Sequence, residues 1–198
     1  MSKMILFNLV SLDGYLEGIN REIDWHNVDE EFNEFAVDQL ESVDLLIFGR
    51  KTYELMASYW PTLTALTDDP IIAERMNSIH KLVFSKTLDK VTWSNSLLMK
   101  EIISEEIIYL KQESEKEMMI FGSANLASSL TKLNLIDEYR IMINPVVLGK
   151  GNPLFQNVAH PLNFKLTDSR VFHSGNVLLY YEPVKIPSVN EKTNTRWF

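Results

Sequence analysis

The chain has 198 residues, of which 45% are hydrophobic and 23% charged, a composition typical of one globular domain with a sizeable core. It carries 19 Lys and Arg against 27 Asp and Glu, and the resulting net charge of −8 disfavours nucleic acid and anionic membranes as partners. The absence of Cys excludes disulfide bonds, thiol nucleophiles, cysteine-based zinc sites and iron–sulfur clusters.

Short apolar runs closed by turn residues alternate along the chain with segments whose apolar residues recur at helical spacing. The runs predict buried strands, and the spaced segments predict amphipathic helices. In chain order we predict strand 4–10, helix 28–43, strand 45–48, a helix that follows Gly49 and reaches Tyr59, a polar loop over 62–70, helix 71–79, strand 81–85, helix 102–111, strand 118–121, a helix opened by Gly122, strand 139–144, a glycine-punctuated loop over 146–155, and a hairpin of strands 162–173 and 177–182.

This alternation predicts an α/β fold of three layers, in which helices cover both faces of a mainly parallel, twisted sheet that ends in a C-terminal antiparallel hairpin. Gly175-Asn176 is expected to form a tight primed turn in that hairpin. We assign residues 1–184 to one domain and 185–198 to a C-terminal tail. No uncharged apolar run approaches the roughly 18 to 20 residues that span a bilayer, and 4–10 suits a strand better than an export signal, so we expect a cytoplasmic protein without membrane contact.

Four polar or glycine-containing turns follow predicted strands, at Asp13-Gly14, Gly49-Arg50, Ser85-Lys86 and Gly122-Ser123. Ligands of such sheets bind beyond the carboxyl ends of the strands, so we expect these turns to meet in one cleft. Residues 49–52 give the strongest signal, because a glycine, a helix start and two cations together suit a phosphate group. The alternative interpretation of each turn is a solvated connection that serves only the fold.

Motifs of several other chemistries do not occur in the sequence. It contains no G-x-S-x-G nucleophile turn, no G-x-x-x-x-G-K-[ST] phosphate loop, no H-E-x-x-H zinc motif and no G-x-G-x-x-G dinucleotide motif. The histidines, His26, His80, His160 and His173, lack the spacing of metal ligands, and we predict no metal site.

A set of segments recurs in the order known from one enzyme superfamily. They are Ser11-Leu12-Asp13-Gly14-Tyr15-Leu16, Asp24-Trp25, 46–54 (LIFGRKTYE), 83–86 (VFSK), 120–123 (IFGS) and 145–155 (PVVLGKGNPLF). Together they resemble the dihydrofolate reductase-like superfamily over most of residues 3–182. The S-L-D-G start and the P-x-x-L-G-x-G-x-P-L-F segment resemble its branch of riboflavin-biosynthesis reductases.

The resemblance implies an oxidoreductase with NADPH as its cofactor. It implies that Gly49, Arg50, Lys51 and Thr52 hold the pyrophosphate and the adenosine-side phosphate, that Ser85 and Lys86 favour the 2′-phosphate, and that Gly122, Ser123, Ala124 and Asn125 flank the nicotinamide end. The implied reaction is hydride transfer to a small pterin- or pyrimidine-like heterocycle, as in 5-amino-6-(5-phosphoribosylamino)uracil reductase or dihydrofolate reductase.

On the substrate side the resemblance implies Glu30 and Asp13 as catalytic residues. The implied substrate-binding residues are Trp25, Asp29, Tyr59 and Trp60. Alternatives stay open, because acidic residues at 29–31 also suit a solvated helix start, Asp-Gly is a turn signal, and aromatic residues near helix ends often simply pack.

The chain also departs from both named enzymes. Asp24 stands where dihydrofolate reductases have a Pro before the loop tryptophan, and the chain has no zinc deaminase domain. A non-catalytic nucleotide-binding or sensor protein on the same fold is therefore an alternative. Because the riboflavin-type relatives are homodimers, the resemblance also implies a homodimer.

Overall fold

The computed structural model describes residues 1–156, 158 and 160–184, which form ten strands and six helices. The strands are β1 (Met4–Ser11), β2 (Tyr15–Glu17), β3 (Val43–Gly49), β4 (His80–Phe84), β5 (Ser96–Met99), β6 (Glu117–Phe121), β7 (Glu138–Asn144), β8 (Asn152–Pro153), β9 (Phe164–Val171) and β10 (Val177–Pro183). The helices are α1 (Glu30–Glu41), α2 (Arg50–Tyr59), α3 (Leu63–Asp68), α4 (Pro70–Ser78), α5 (Ser104–Glu113) and α6 (Ala124–Lys132). The predicted tail, 185–198, lies outside the described residues.

One eight-stranded sheet organises the fold, with the strand order β5-β4-β3-β6-β1-β7-β10-β9. The strands from β5 to β7 in this order run parallel, whereas β10 lies antiparallel to both β7 and β9. A separate two-stranded ribbon pairs β2 with β8. The predicted α/β class, mainly parallel sheet and C-terminal hairpin are confirmed.

Side chains that alternate along the central strands enter two apolar clusters, one on each face of the sheet. On one face, Leu6 of β1 belongs to a cluster with Ile107 of α5 and Leu130 of α6. On the other face, Phe7 belongs to a cluster with Phe35 of α1 and residues of α2 and α4. Helices therefore cover both faces, as predicted, and burial of apolar surface at about 25 cal/mol per Å² holds them there. None of the described helices is long and apolar enough to cross a membrane.

Some short elements differ from the sequence-based prediction. The polar loop predicted over 62–70 is wrong in part, because α3 occupies Leu63–Asp68. Thr62 caps this helix, since its Oγ1 accepts a hydrogen bond from the Ala65 N–H at 3.2 Å. The pattern also does not predict β5, which forms one edge of the sheet, or the ribbon of β2 and β8.

The hairpin turn is centred two residues earlier than predicted. The last strand pair joins Val171 to Val177, and the Gly175 N–H donates to the Phe172 carbonyl at 3.0 Å. Residues 173 and 174 therefore form the centre of the turn, and Gly175 follows them with φ +87°. The predicted two-residue primed turn at Gly175-Asn176 is wrong, because the connection between the strands is longer and Gly175 follows the turn in a left-handed conformation.

Candidate functional site

The two glycine turns interlock at the carboxyl edge of the sheet. A β-carbon added at Gly49 would lie 2.3 Å from Ser123 Oγ, and one added at Gly122 would lie 2.9 Å from Thr52 Oγ1. Real β-carbons essentially never approach other atoms this closely, so both turns need glycine. The structure thus brings the predicted segments 49–52 and 122–125 together.

The turn between β6 and α6 has an unusual backbone. Gly122 and Ser123 are both left-handed, with φ values of +62° and +53°. For a serine this conformation costs on the order of 1–3 kcal/mol, and such strain concentrates at ligand sites. Ser123 also caps α6, because its Oγ accepts a hydrogen bond from the Leu126 N–H at 3.4 Å.

A gap opens in the sheet beside this turn. Pairing between β1 and β6 ends at Phe7 and Phe121, whereas β1 continues beside β7 as far as Ser11 and Asn144. Beyond the last pair, a β-carbon added at Gly122 would meet Thr52 of α2. The Lys3 carbonyl bonds to β6 and the Met4 carbonyl bonds to the start of β7, so the alternation of a parallel ladder directs the Leu9 N–H and C=O into the gap.

Positive charge gathers at the start of α2. Gly49 offers no side chain to cap the helix, so amide groups of its first turn are left for a ligand. The side chain of Arg50 is 45% exposed, and its ion pair with Glu54 is long, at 3.9 Å. Lys51 is exposed beside it. This end of α2 suits an anion.

Ser85 and Lys86 lie next to Gly49, because Gly49 pairs with Phe84 across β3 and β4. Ser85 is buried, and its Oγ accepts hydrogen bonds from the backbone N–H groups of Thr87 at 3.2 Å and Leu88 at 3.0 Å. Lys86 is exposed. Ser85 therefore shapes the turn that presents the Lys86 cation.

The acidic residues at the start of α1 have three different environments. Asp29 caps the helix, with its Oδ1 accepting from the Phe32 N–H at 2.8 Å. Glu31 accepts from the His173 N–H at 2.8 Å and pairs with the Arg170 guanidinium at 2.9 Å. These contacts lower the pKa of Glu31 to about 2. Glu30 is exposed and has no side-chain hydrogen bond to another described residue.

Asp13 holds the glycine-punctuated loop that follows β7. Its Oδ1 accepts from Ser11 Oγ at 2.7 Å and from the Leu148 N–H at 3.2 Å, and its Oδ2 accepts from the Gly149 N–H at 2.8 Å. The bond from Ser11 and those from the loop lower the pKa of Asp13. The structure therefore gives Asp13 a positioning role, and its catalytic role stays a prediction.

The predicted aromatic residues do not lie together. Trp25 precedes α1, where its Nε1 donates to the Glu22 carbonyl at 3.1 Å and its ring lies edge-on to His26. Tyr59 and Trp60 stand at the opposite end of α2 from Gly49, about 15 Å along the helix axis. The Tyr59 and Trp60 rings contact each other, with centroids 5.0 Å apart. The structure does not bring this pair to the glycine turns.

Buried asparagines anchor the loop before α1, and sequence reasoning missed them. The Asn27 N–H donates to Asn144 Oδ1 at 2.8 Å, and Asn176 Nδ2 donates to the Asn27 carbonyl at 2.7 Å. Asn144 and Asn176 are completely buried. The available signal is that Asn144 ends one predicted strand and that Asn176 directly precedes another. Burial also lowers the pKa of His26 in this loop to about 4, which keeps its imidazole neutral.

A cavity of about 840 Å³ lies elsewhere, between α5 and the outer strands β4 and β5. Its lining is mainly apolar and includes Leu82, Leu97 and Tyr109. No residue of the glycine turns lines it. The candidate site is therefore the carboxyl edge of the sheet, where the interlocked glycine turns, the amides at the start of α2 and the exposed cations meet.

Comparison with known proteins identifies the family. The model of the RibD C-terminal domain matches residues 2–178. The chain belongs to the RibD C-terminal domain family. A relative in Bacillus subtilis (strain 168), the uncharacterized protein YyaP, is 34% identical over 179 residues, which cover 90% of this chain and 94% of the relative.

Solved structures share the fold of this family member. A protein from Shewanella sp. PV-4 that is named for riboflavin biosynthesis superposes with a TM-score of 0.71 and 26% identity, over 92% of this chain and 99% of that chain. Dihydrofolate reductase from Enterococcus faecalis, solved with NADP(H), has a TM-score of 0.62 over 92% of this chain and 97% of that chain. Its 14% identity shows a common fold alone. The predicted superfamily and branch are confirmed.

Proposed function

We propose that this member of the RibD C-terminal domain family is a cytoplasmic, NADPH-dependent reductase that transfers hydride to a small pterin- or pyrimidine-like heterocycle. The observation that carries the proposal is the interlocking of the Gly49 and Gly122 turns beside exposed cations. The family and the fold shared with an NADP(H)-bound reductase support it.

The residues present fit NADPH. Two glycines let the turns after β3 and β6 pack against each other at the sheet edge, and the uncapped start of α2 offers amide donors. Arg50, Lys51 and Lys86 supply positive charge for the pyrophosphate and the 2′-phosphate, and focusing them at one edge allows an acidic protein to bind a polyanion. When bound, NADPH supplies the hydride.

In this proposal the residues of the chain bind the cofactor, orient it and select NADPH over NADH. The segment 49–52 holds the pyrophosphate through backbone amides and two cations, and Lys86, presented by Ser85, selects for the 2′-phosphate. The segment 122–125 flanks the nicotinamide end, and the left-handed backbone of Gly122 and Ser123 sets the direction of this turn. The backbone of both glycine turns is fixed by the fold before a ligand arrives, which lowers the cost of binding.

The substrate is proposed to bind on the α1 face of the sheet edge. Partly buried apolar side chains there, Phe32 of α1, Met56 of α2 and Phe121 of β6, offer surface to a flat heterocycle. Asp29 bonds the Phe32 N–H at the start of α1, and Asp13 positions the loop after β7. We propose Trp25 and Asp29 as further contacts of the substrate. Of the acidic residues 29–31, Glu30 is the one whose side chain makes no hydrogen bond within the described chain, and we assign it the hydrogen bond to the substrate that assists protonation.

A second candidate function is a nucleotide-binding protein without turnover. The engagement of Asp13, Asp29 and Glu31 in contacts that serve the fold favours it, because few acidic groups are left for proton transfer. The homodimer implied by the family resemblance also stays a prediction, and light scattering of the purified protein tests it.

Steady-state NADPH oxidation with a panel of dihydropterins and ribosylaminopyrimidines separates the two functions. A reductase consumes NADPH with at least one of these substrates, and Glu30→Gln lowers kcat by about 10²- to 10⁴-fold. Glu34→Gln, one turn further along α1 and also exposed, is the matched control and keeps full activity. Cofactor binding without oxidation across the whole panel would support the non-catalytic alternative.

A further inference from the structure

Asn8 of β1 is a polar side chain in the core whose presence the packing does not explain. It is only 2% exposed, and its Nδ2 has no hydrogen-bond partner among residues 1–156, 158 and 160–184. The neighbours on the same side of β1, Leu6 and Val10, belong to the apolar cluster that contains Leu126 of α6. A buried donor without an acceptor destabilises a fold, so an aliphatic residue at this position suits the core better.

The position of Asn8 links it to the gap in the sheet. It is the first residue of β1 beyond the last pair with β6, which joins Phe7 to Phe121. Its side chain shares a face with α6, whose first turn follows Gly122 and Ser123. The next residue, Leu9, directs its backbone N–H and C=O into the gap, as the ladder alternation requires.

Charge divides the two sides of this gap. Arg50 and Lys51 lie on the α2 side, where the phosphates of a dinucleotide fit. The β1 side offers the neutral carboxamide of Asn8 and the Leu9 backbone, which can pair with uncharged donors and acceptors. A dinucleotide held on the two glycine turns therefore meets β1 with its uncharged half.

We propose that Asn8 is a specificity-determining residue that hydrogen-bonds the nicotinamide half of the cofactor. This inference rests on the proposed function and adds a residue to it. The buried Asn8 amide, which destabilises the protein without cofactor, gains a hydrogen bond when the cofactor binds. This hydrogen bond favours ligands that carry the nicotinamide over ligands that lack it.

The test compares two ligands and two variants. Asn8→Leu is expected to weaken NADPH binding about tenfold and to leave the affinity for 2′-phospho-ADP-ribose, which lacks the nicotinamide, unchanged. Its Tm is expected to equal or exceed that of the wild type, because an unsatisfied donor is removed. Asn77→Leu is the matched control: Asn77 hydrogen-bonds Trp60 and Trp93, so its loss lowers Tm and leaves the ratio of the two affinities unchanged.

Each outcome decides between the interpretations. Equal weakening of both ligands, or no weakening of either, would overturn the inference, and a lower Tm for Asn8→Leu in addition would show a structural amide. If Asn8→Leu does not fold, Asn8→Ala is measured with the same two ligands, and the same ratio decides. If the wild-type protein binds neither ligand, the proposed function fails and takes the Asn8 inference with it, a result distinct from a failure at Asn8 alone.

Discussion

The α2 side and the α1 side of the same sheet edge use their polar groups differently. On the α1 side, the carboxylates of Asp13, Asp29 and Glu31 all accept hydrogen bonds from their own chain. On the α2 side, Lys51 and Lys86 are exposed, and Arg50 is held only by a long ion pair. The hydrogen-bonded carboxylates stabilise the fold, whereas the exposed cations are available to bind a ligand. The cofactor side is therefore better defined than the substrate side.

The largest effect is expected from Gly122→Ala on the α2 side. The new β-carbon would meet Thr52, and alanine would have to adopt the left-handed conformation of Gly122. Strain and overpacking together should lower the free energy of unfolding by about 4 kcal/mol and abolish NADPH binding. Urea unfolding measures the first effect and a fluorescence titration the second.

Gly175→Ala is the control for this variant, because Gly175 is also left-handed but its new β-carbon would make only an ordinary contact, 3.5 Å from Pro145. Its expected loss is about 1 kcal/mol, from backbone strain alone. Equal losses for the two variants would contradict the interlocking of the turns.

On the α1 side, His26 should make stability depend on pH. Burial lowers its pKa from 6.5 to about 4, so between these values the unfolded chain binds a proton that the folded protein does not. The free energy of unfolding therefore has its full value above pH 6.5. It decreases as the pH falls toward 4, by at most about 3 kcal/mol from His26. Urea unfolding of wild type and His26→Gln across this range should give curves of different slope, and parallel curves would contradict the burial of a neutral imidazole.

The cations of the α2 side should control cofactor affinity. Arg50→Ala combined with Lys86→Ala is expected to weaken NADPH binding about thirtyfold, which corresponds to about 2 kcal/mol. The pair Arg75→Ala and Lys132→Ala removes the same charge, with Arg75 in α4 and Lys132 at the last residue of α6. Similar weakening in both double variants would mean that net charge, and not the site, attracts the cofactor.

The smallest effect is expected at Glu31. Because its pKa lies below the ordinary 4.5, Glu31 stabilises the fold above pH 4.5, and this contribution is lost as the pH falls toward 2. Glu31→Gln should lower Tm at neutral pH, and its difference from the wild type should close in acid. Glu30→Gln, which breaks no contact among the described residues, should leave Tm unchanged. A fall in Tm for both variants would contradict the assignment of a structural contact to Glu31 and of none to Glu30.

Elements with a strong local pattern could be predicted from the sequence. The apolar run of β1 and the strand, glycine and helix of 45–59 show their spacing directly, and the structure agrees to within a few residues. The turns at Gly49 and Gly122 could also be predicted, because a glycine between an apolar run and a helical pattern indicates a tight turn. α3 was missed since six residues give little periodicity, although Thr62 is a cap signal.

The polar contacts of the α1 side depend on distant partners. Asp13 meets Gly149 only after β1 and β7 have paired, and Asn27 meets Asn144 at the same edge. No local spacing encodes a contact between residues more than 100 positions apart. For this reason the sequence indicates which acidic residues are present at the site but not which of them the fold has already engaged.

Binding of NADPH and NADH to the purified protein, followed by calorimetry at modest salt, tests the cofactor site most directly. The cations and the uncapped helix start of the α2 side predict that NADPH binds, and that it binds at least about tenfold more tightly than NADH because Lys86 contacts the 2′-phosphate. Equal affinity for the two would remove Lys86 from the site. Binding of neither would contradict the proposed cofactor site itself.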